Sequence, residues 1–172
     1  KAGKKVTVVD AEGKSTEYSG TNIIIATGAR SRELPNLPQD GKKVIGYRQA
    51  LSLPEQPKSM IVVGSGAIGI EFADFYNAMG TKVTVVEFLP NIVPLEDEDV
   101  SKHVEKSIKK SGIEIMTNAS VESVDTSGNG VKASVKTATG NITLEADILL
   151  SAVGIASNVE GIGLEAVGIK TE

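Results

Sequence analysis

Six consecutive residues, Gly64-Ser65-Gly66-Ala67-Ile68-Gly69, match the pattern G-x-G-x-x-G. That spacing suits a strand-to-helix turn that receives a dinucleotide. The first glycine allows the tight turn, the second lets backbone approach a pyrophosphate, and the third lets helix pack closely on strand. The phosphates would sit at the positive helix end, met by free N–H groups. Alone the pattern is weak, because a tight turn with no ligand satisfies it. Here it follows the apolar run MIVV (60–63) and opens a helix-like stretch. An acid, Glu87, stands 18 residues past Gly69 at the end of a second apolar run, as a ribose-binding carboxylate should.

Glu87 can accept hydrogen bonds from an adenosine ribose and would repel a 2′-phosphate. Residues 88–92 (FLPNI) contain no Arg or Lys to receive that phosphate. NAD is therefore expected rather than NADP, against the plainer alternative of a solvated strand-end glutamate. Glu71 is placed in the first turn after the glycine loop, where it either stabilises the helix dipole or lies beside a nicotinamide. His103 is the one histidine and falls among Lys102, Glu105 and Lys106, so a solvated surface position is expected. The acidic run 96–99 has no neighbouring histidine to suggest a metal site and reads as a solvated helix start. No metal ligands and no catalytic side chain are assigned.

The elements that must hold this turn are legible as patterns. Residues 5–10 and 15–19 flank Ala11-Glu12-Gly13-Lys14 and read as a β-hairpin. NIIIA (22–26) is a short apolar run expected to be a buried strand, ended by Thr27 and Gly28. Residues 31–58 carry four of the six prolines and read as a connecting segment, with a helical turn near Gln49–Leu51. MIVV, the glycine turn, a helix and TKVTVVE (81–87) then form a βαβ unit, with parallel strands and a right-handed crossover expected. Ile68, Phe72, Phe75 and Met79 recur at helical spacing, and Gly80 ends that helix. A second helix follows the acidic run with Val100, Val104 and Ile108 as its apolar stripe, and Lys109 and Lys110 suit its end. IEIM (113–116) is a third strand, residues 120–146 form an antiparallel meander turning at Gly128-Asn129-Gly130, and DILLS (147–151) is a last buried strand.

Composition narrows the function classes. The 172 residues carry a net charge of −4 and 40% hydrophobic residues, which suits a soluble globular protein and argues against nucleic acid or an anionic membrane as partner. No apolar run reaches the ~18 residues of a membrane span, and a cytoplasmic setting is expected. There are no cysteines, so disulfides, thiolate nucleophiles and cysteine-based metal sites are excluded from this sequence. The chain opens on Lys1 within a strand-like run, and a piece of a longer protein is expected.

The stretches IIIATGAR, VVGSGAIGIEFADFYNAMGTKVTVVE and ADILLSAVG resemble, in order and spacing, the flavin-dependent pyridine nucleotide–disulfide oxidoreductases. VEFLPNIVPLEDEDVSKHVEKSIKKSGIEI (86–115) is similar, more narrowly, to the dihydrolipoamide dehydrogenase branch of that family. The resemblance implies an α/β fold: a Rossmann-like parallel sheet with a β-meander crossover, plus N-terminal strands left from an FAD-binding domain. It implies residues 1–35 as that remnant, 36–155 as an NAD-binding domain and 156–172 as a return segment. Thr27, Gly28 and Ala29 would touch FAD, and Gly64 through Ile68 would hold the NAD pyrophosphate. Glu87 would hold the ribose, Val121 the adenine side, Gly154 the nicotinamide half, and Glu71 the nicotinamide–flavin contact. The implied activity passes electrons from dihydrolipoamide through an enzyme disulfide and FAD to NAD. Its partners are NAD(H) and the lipoyl group of 2-oxo acid dehydrogenase complexes, in a homodimer. Ile155 departs from the arginine that often follows the glycine at 154. The family's FAD glycine loop, redox-active cysteine pair, later FAD aspartate and histidine–glutamate pair are not in this sequence, so the chain alone is expected to be inactive. Another NADH-linked flavoprotein of the family, such as an NADH oxidase or coenzyme A disulfide reductase, is the alternative enzyme. A stand-alone NAD-binding module is the alternative of another class.

Overall fold

The computed structural model describes residues 4–171 of the chain. Strands β1 (Lys5–Val9) and β2 (Ser15–Ser19) pair antiparallel, Lys5 opposite Ser19 and Val9 opposite Ser15. Asp10 shapes the turn by accepting at Oδ1 from the N–H groups of Glu12 and Lys14. The expected hairpin is present. Residues 22–26, by contrast, form no strand, and Ile24 is 89% exposed. A strand needs a partner backbone for its N–H and C=O groups, and among the described residues none pairs with this run.

The remaining elements follow in order. They are β3 (Ala29–Ser31), β4 (Val44–Ile45), α1 (Tyr47–Ala50), β5 (Ser59–Val63), α2 (Ala67–Ala78) and β6 (Lys82–Val86). After them come α3 (Glu98–Lys110), β7 (Glu114–Met116), β8 (Ser120–Asp125), β9 (Val131–Thr137), β10 (Gly140–Ala146), β11 (Ile148–Ser151) and β12 (Ile155–Ser157), with a 3₁₀ turn at Glu165–Val167. Strand β12 pairs with β3. Two compact units result: one runs to Arg30 and takes up again from Ala156, and the other is Ser31–Ile155.

The larger unit is built on a five-stranded sheet in the order β4-β11-β5-β6-β7, with every neighbouring pair parallel. Strands covered on both faces read as continuous apolar runs, which is why SMIVV and ILLS carry no alternation. From β5 the chain moves outward through β6 and β7, then returns to place β11 on β5's other side. The strand order therefore reverses between β5 and β11, and in open α/β sheets such a reversal opens a crevice at the carboxyl ends of the strands.

One face of the sheet packs on the helices. Met60, Val62, Val83, Val85 and Leu150 meet Ala50, Ile70, Ala73, Tyr76 and Ile108 there. The other face meets the antiparallel sheet β10-β9-β8, where Ile61, Val63, Val86 and Leu149 pack against Val121, Val131, Ala133 and Val135. Each such fully buried aliphatic side chain contributes about 1.5–3 kcal/mol relative to exposure. The meander is thus the crossover from β7 to β11, as the sequence suggested.

The buried stripe of α2 is displaced from the one expected, and that of α3 keeps Val104 and Ile108 but not Val100. In α2, Gly69, Ile70, Ala73 and Tyr76 are buried, while Phe75 and Met79 are more than half exposed. Small residues bring that helix close to the sheet, and the Tyr76 hydroxyl donates to the Ala50 carbonyl at 2.6 Å. In α3 the buried pair is Ser101 and Ile108, with Val104 half-buried and Val100 exposed. Ser101 Oγ donates to the carbonyls of Ile92 and Val93 at 2.9 and 3.3 Å. Glu98 and Asp99 open α3, and Lys109 and Lys110 close it, as the macrodipole favours. His103 is exposed on this helix. No helix among the described residues is long and apolar enough to cross a membrane.

Candidate functional site

The three glycines of the turn from β5 into α2, two before the helix and Gly69 in its first turn, stand there for different reasons. Gly64 turns with φ 96°, and a Cβ there would stand 2.5 Å from the Ala152 carbonyl oxygen beside β11. A Cβ on Gly69 would stand 2.0 Å from the Gly64 carbonyl oxygen. Packing within the protein forbids a side chain at both positions. Gly66 is different. Its φ of −64° suits any residue, and a Cβ there would meet nothing within 4 Å. It is the N-cap of α2, where free N–H groups and the positive helix end favour an anion.

Glu87 follows β6 and is only 6% exposed. Its Oε2 accepts from Ser65 N–H at 2.8 Å and from Ser65 Oγ at 2.6 Å, and its Oε1 accepts from Leu89 N–H at 2.7 Å. The carboxylate therefore faces the glycine loop, held by three donors and no cation. A carboxylate offers about four acceptor sites, so Oε1 retains capacity for one further donor.

Ser65 is fully buried, and its carbonyl accepts the N–H of Val93 at 2.9 Å. Segment 88–95 is thereby tied to the loop. Phe88 and Leu95 on this segment are exposed by 74% and 97%. Ala119 N–H donates to the Glu87 carbonyl at 2.9 Å and brings the start of β8 alongside. The Val121 side chain itself points into the meander core, while its carbonyl accepts from Asn36 Nδ2 at 2.7 Å.

Glu71 is exposed and lies in the second turn of α2, whose first turn holds no acid. The dipole explanation for it weakens accordingly, since that effect is confined to the first turn. Gly154 lies two residues past Ala152, exposed with φ 113°, and its carbonyl accepts Arg32 N–H at 2.9 Å. Gly64 through Gly69, Glu87 and Gly154 all follow the carboxyl ends of β5, β6 and β11 within this unit.

In the smaller unit, the turn Thr27-Gly28-Ala29 is held by Asn158. Its N–H donates to the Gly28 carbonyl at 2.9 Å and its Nδ2 to the Thr27 carbonyl at 3.2 Å. Arg30 Nη1 donates to Asn158 Oδ1 at 2.9 Å, and Arg30 Nη2 pairs with Glu160 Oε1 at 2.7 Å. The Arg30 guanidinium holds the Glu160 carboxyl down at about 2. Asn158 and Glu160 escaped the sequence reading because nothing about a lone Asn or Glu near the end of the chain marks a partner 130 residues earlier. For Ser65 the sequence suggests a place along the pyrophosphate loop and not its bond to Glu87. A hydroxyl residue between the first two glycines, with an acid at the end of the next strand, is the signal that would have found its bond to Glu87.

The whole chain, residues 1–172, matches the family model described as pyridine nucleotide-disulphide oxidoreductase. It is 46% identical over 164 residues to the dihydrolipoyl dehydrogenase of Rhizobium etli, covering 95% of this chain and 34% of that protein. The dihydrolipoyl dehydrogenase of Chlorobaculum tepidum is 46% identical over 172 residues, covering 99% and 36%. Among solved structures, LpdA from Mycobacterium tuberculosis superposes with a TM-score of 0.84 at 36% identity, covering 96% of this chain and 36% of that one. The chain spans about a third of the length of these relatives.

Proposed function

The chain belongs to the pyridine nucleotide–disulphide oxidoreductase family, and from that premise we propose that it is the NAD(H)-handling part of a dihydrolipoyl dehydrogenase. The observation that carries this reading is Gly66. Among the described residues nothing lies within 4 Å of where its Cβ would stand, yet the position follows a strand, caps a helix and lies where strand order reverses. A pyrophosphate fits such a cradle.

In this reading the loop from Gly64 through Gly69 receives the pyrophosphate with backbone N–H groups, and Glu87 takes the adenosine ribose through Oε1. The start of β8, with Val121, backs the adenine side. Gly154 and Glu71 flank the nicotinamide half. Thr27, Gly28 and Ala29 supply one edge of a flavin site, fixed by Asn158. Bound FAD supplies the relay that moves two electrons between a dithiol and NAD. Across the whole reaction, dihydrolipoamide loses two electrons and two protons and closes to a disulfide, while NAD⁺ gains a hydride and one proton is released. No thiol step involves this sequence, which has no cysteine. In this reading the protein works as a cytoplasmic homodimer that serves lipoyl-bearing 2-oxo acid dehydrogenase complexes.

Calorimetric titration of the 172-residue chain tests the reading. NADH is expected to bind more tightly than NADPH by at least the ~1–3 kcal/mol of an unsatisfied polar group, since the 2′-phosphate meets a carboxylate and no cation. Gly66→Val is expected to abolish NADH binding while circular dichroism shows a folded protein. Equal affinity for the two nucleotides, or normal binding by a folded Gly66→Val variant, refutes it.

A further inference from the structure

We propose that Ser65 is a positioning residue that sets coenzyme selectivity, by fixing which oxygen of Glu87 faces the nucleotide; the proposal rests on the NAD reading above. Three bonds converge on this residue. Its N–H and Oγ both donate to Glu87 Oε2, and its carbonyl accepts Val93 N–H. With Oε2 doubly held, only Oε1 keeps acceptor capacity for a ribose hydroxyl, because it receives the single donor Leu89 N–H.

A glutamate's terminal torsion is broad and does not by itself choose an orientation. The choice has to come from outside the side chain. Leu89 N–H holds one oxygen from two residues further along. Ser65 Oγ, at 2.6 Å, is the one side-chain hydroxyl that bonds this carboxylate among the described residues. Ser65 is 0% exposed and Glu87 is 6% exposed, so bulk water is not at hand to replace a deleted hydroxyl.

The third bond extends the effect to the next segment. Val93 sits at φ 40°, a conformation that a β-branched residue strongly disfavours. It is kept there by its N–H bond to Ser65 and by Ser101 Oγ on the Val93 carbonyl. The Ser65 backbone therefore anchors residues 88–93 beside the carboxylate, and its hydroxyl aims the carboxylate. An alanine at this position keeps the first role and removes the second. The carboxylate then keeps two backbone donors in place of three, N–H of residue 65 on Oε2 and of Leu89 on Oε1, and is held less firmly, so ribose binding weakens and repulsion of a 2′-phosphate weakens with it.

The experiment is a double-mutant cycle on the 172-residue chain. Wild type, Ser65→Ala, Glu87→Ala and the double variant are each titrated with NADH, NADPH and an NADH analogue lacking the adenosine 2′-hydroxyl. Ser65→Ala is expected to weaken NADH on the order of tenfold, the scale of one hydrogen bond to a charged group, and to narrow the NADH-to-NADPH ratio. In the Glu87→Ala background the same change should add nothing, and for the 2′-deoxy analogue its penalty should shrink. A Ser65→Ala variant with the wild-type ratio, or with an equal loss in both backgrounds, overturns the proposal. Should circular dichroism show Ser65→Ala unfolded, Ser65→Cys, whose thiol is a weaker donor, carries the comparison. An intermediate ratio supports the proposal and a wild-type ratio overturns it. A wild-type chain that binds neither nucleotide sinks the NAD reading itself and takes this inference with it.

Discussion

Substituting Gly69 with alanine tests whether the third glycine serves packing rather than the ligand. The new Cβ would lie 2.0 Å from Gly64 O, 3.0 Å from Gly64 C and 3.4 Å from Ala152 Cβ. The first two are backbone atoms and have no rotamer into which to retreat. Restoring an ordinary contact of 3.4 Å to Gly64 O requires α2 to withdraw by about 1.4 Å if it alone moves. That withdrawal loosens Ile70, Ala73 and Tyr76 from the sheet. Overpacking a well-filled site costs typically 1–3 kcal/mol, and an unyielding backbone contact places this case near ~3 kcal/mol. At roughly 2–4 °C per kcal/mol for a chain of this size, Tm should fall by about 6–12 °C. Gly66→Ala is the control: the position is open, its φ is ordinary, and Tm should stay within ~2 °C, the scale of a modest capping change. Differential scanning calorimetry without nucleotide reads both. A Gly69→Ala protein melting within ~2 °C of wild type, or a Gly66→Ala protein falling as far as Gly69→Ala, refutes the division of roles.

Three further outcomes are expected. Tyr76→Phe removes the donor to the Ala50 carbonyl in a buried setting and should cost about 1–3 kcal/mol; an unchanged urea midpoint would show that bond to be idle. The Glu160 carboxyl should titrate at about 2 because Arg30 donates to it. Its folded value is depressed, so its contribution is present above the ordinary 4.5 and is lost as pH falls from there toward 2. A carboxyl carbon resonance of Glu160 with a midpoint near 4.5 in a ¹³C NMR titration would break that link. Finally, this 172-residue chain should be colourless and should reduce no lipoamide with NADH, because disulfide exchange needs a thiolate and it has no cysteine. Flavin absorbance in the purified chain, or turnover above a protein-free blank, with or without added FAD, contradicts this.

The glycine loop was legible because each of its requirements leaves a mark in residue type. A tight turn, a close backbone approach and a close helix contact all select glycine, and a carboxylate ends the next strand. The parallel sheet was legible because strands covered on both faces are unbroken apolar runs. What escaped depends on partners that local pattern does not name. Residues 22–26 have strand composition, yet a strand is a property of a pair. β4 spans two residues and owes its existence to β11 beside it, over 100 positions later. The buried stripe of α2 was misplaced because Gly69, Ala73 and Tyr76 score low as apolar residues, whereas the sheet favours them for closeness and for a hydroxyl that reaches Ala50. Ser65 is legible as part of the glycine loop, but its bond to Glu87 is not, because that partner lies 22 positions away.

The return of the chain to β11 also dictates an order of events during synthesis. Ile148 pairs with Met60, 88 positions earlier, and Leu149 pairs with Val44. At about 5–20 residues per second, a ribosome takes roughly 4–18 s to travel from Met60 to Ile148. For that interval β5 has β6 on one side and an unsatisfied row of N–H and C=O groups on the other. β4 has no sheet to join at all. Such edges recruit strands from other chains, and long-range parallel pairing is slow to close. The same late strand that creates the crevice at the strand ends thus leaves the nascent protein open longest where its sheet is most apolar, and this is the stage at which a chaperone would find something to hold.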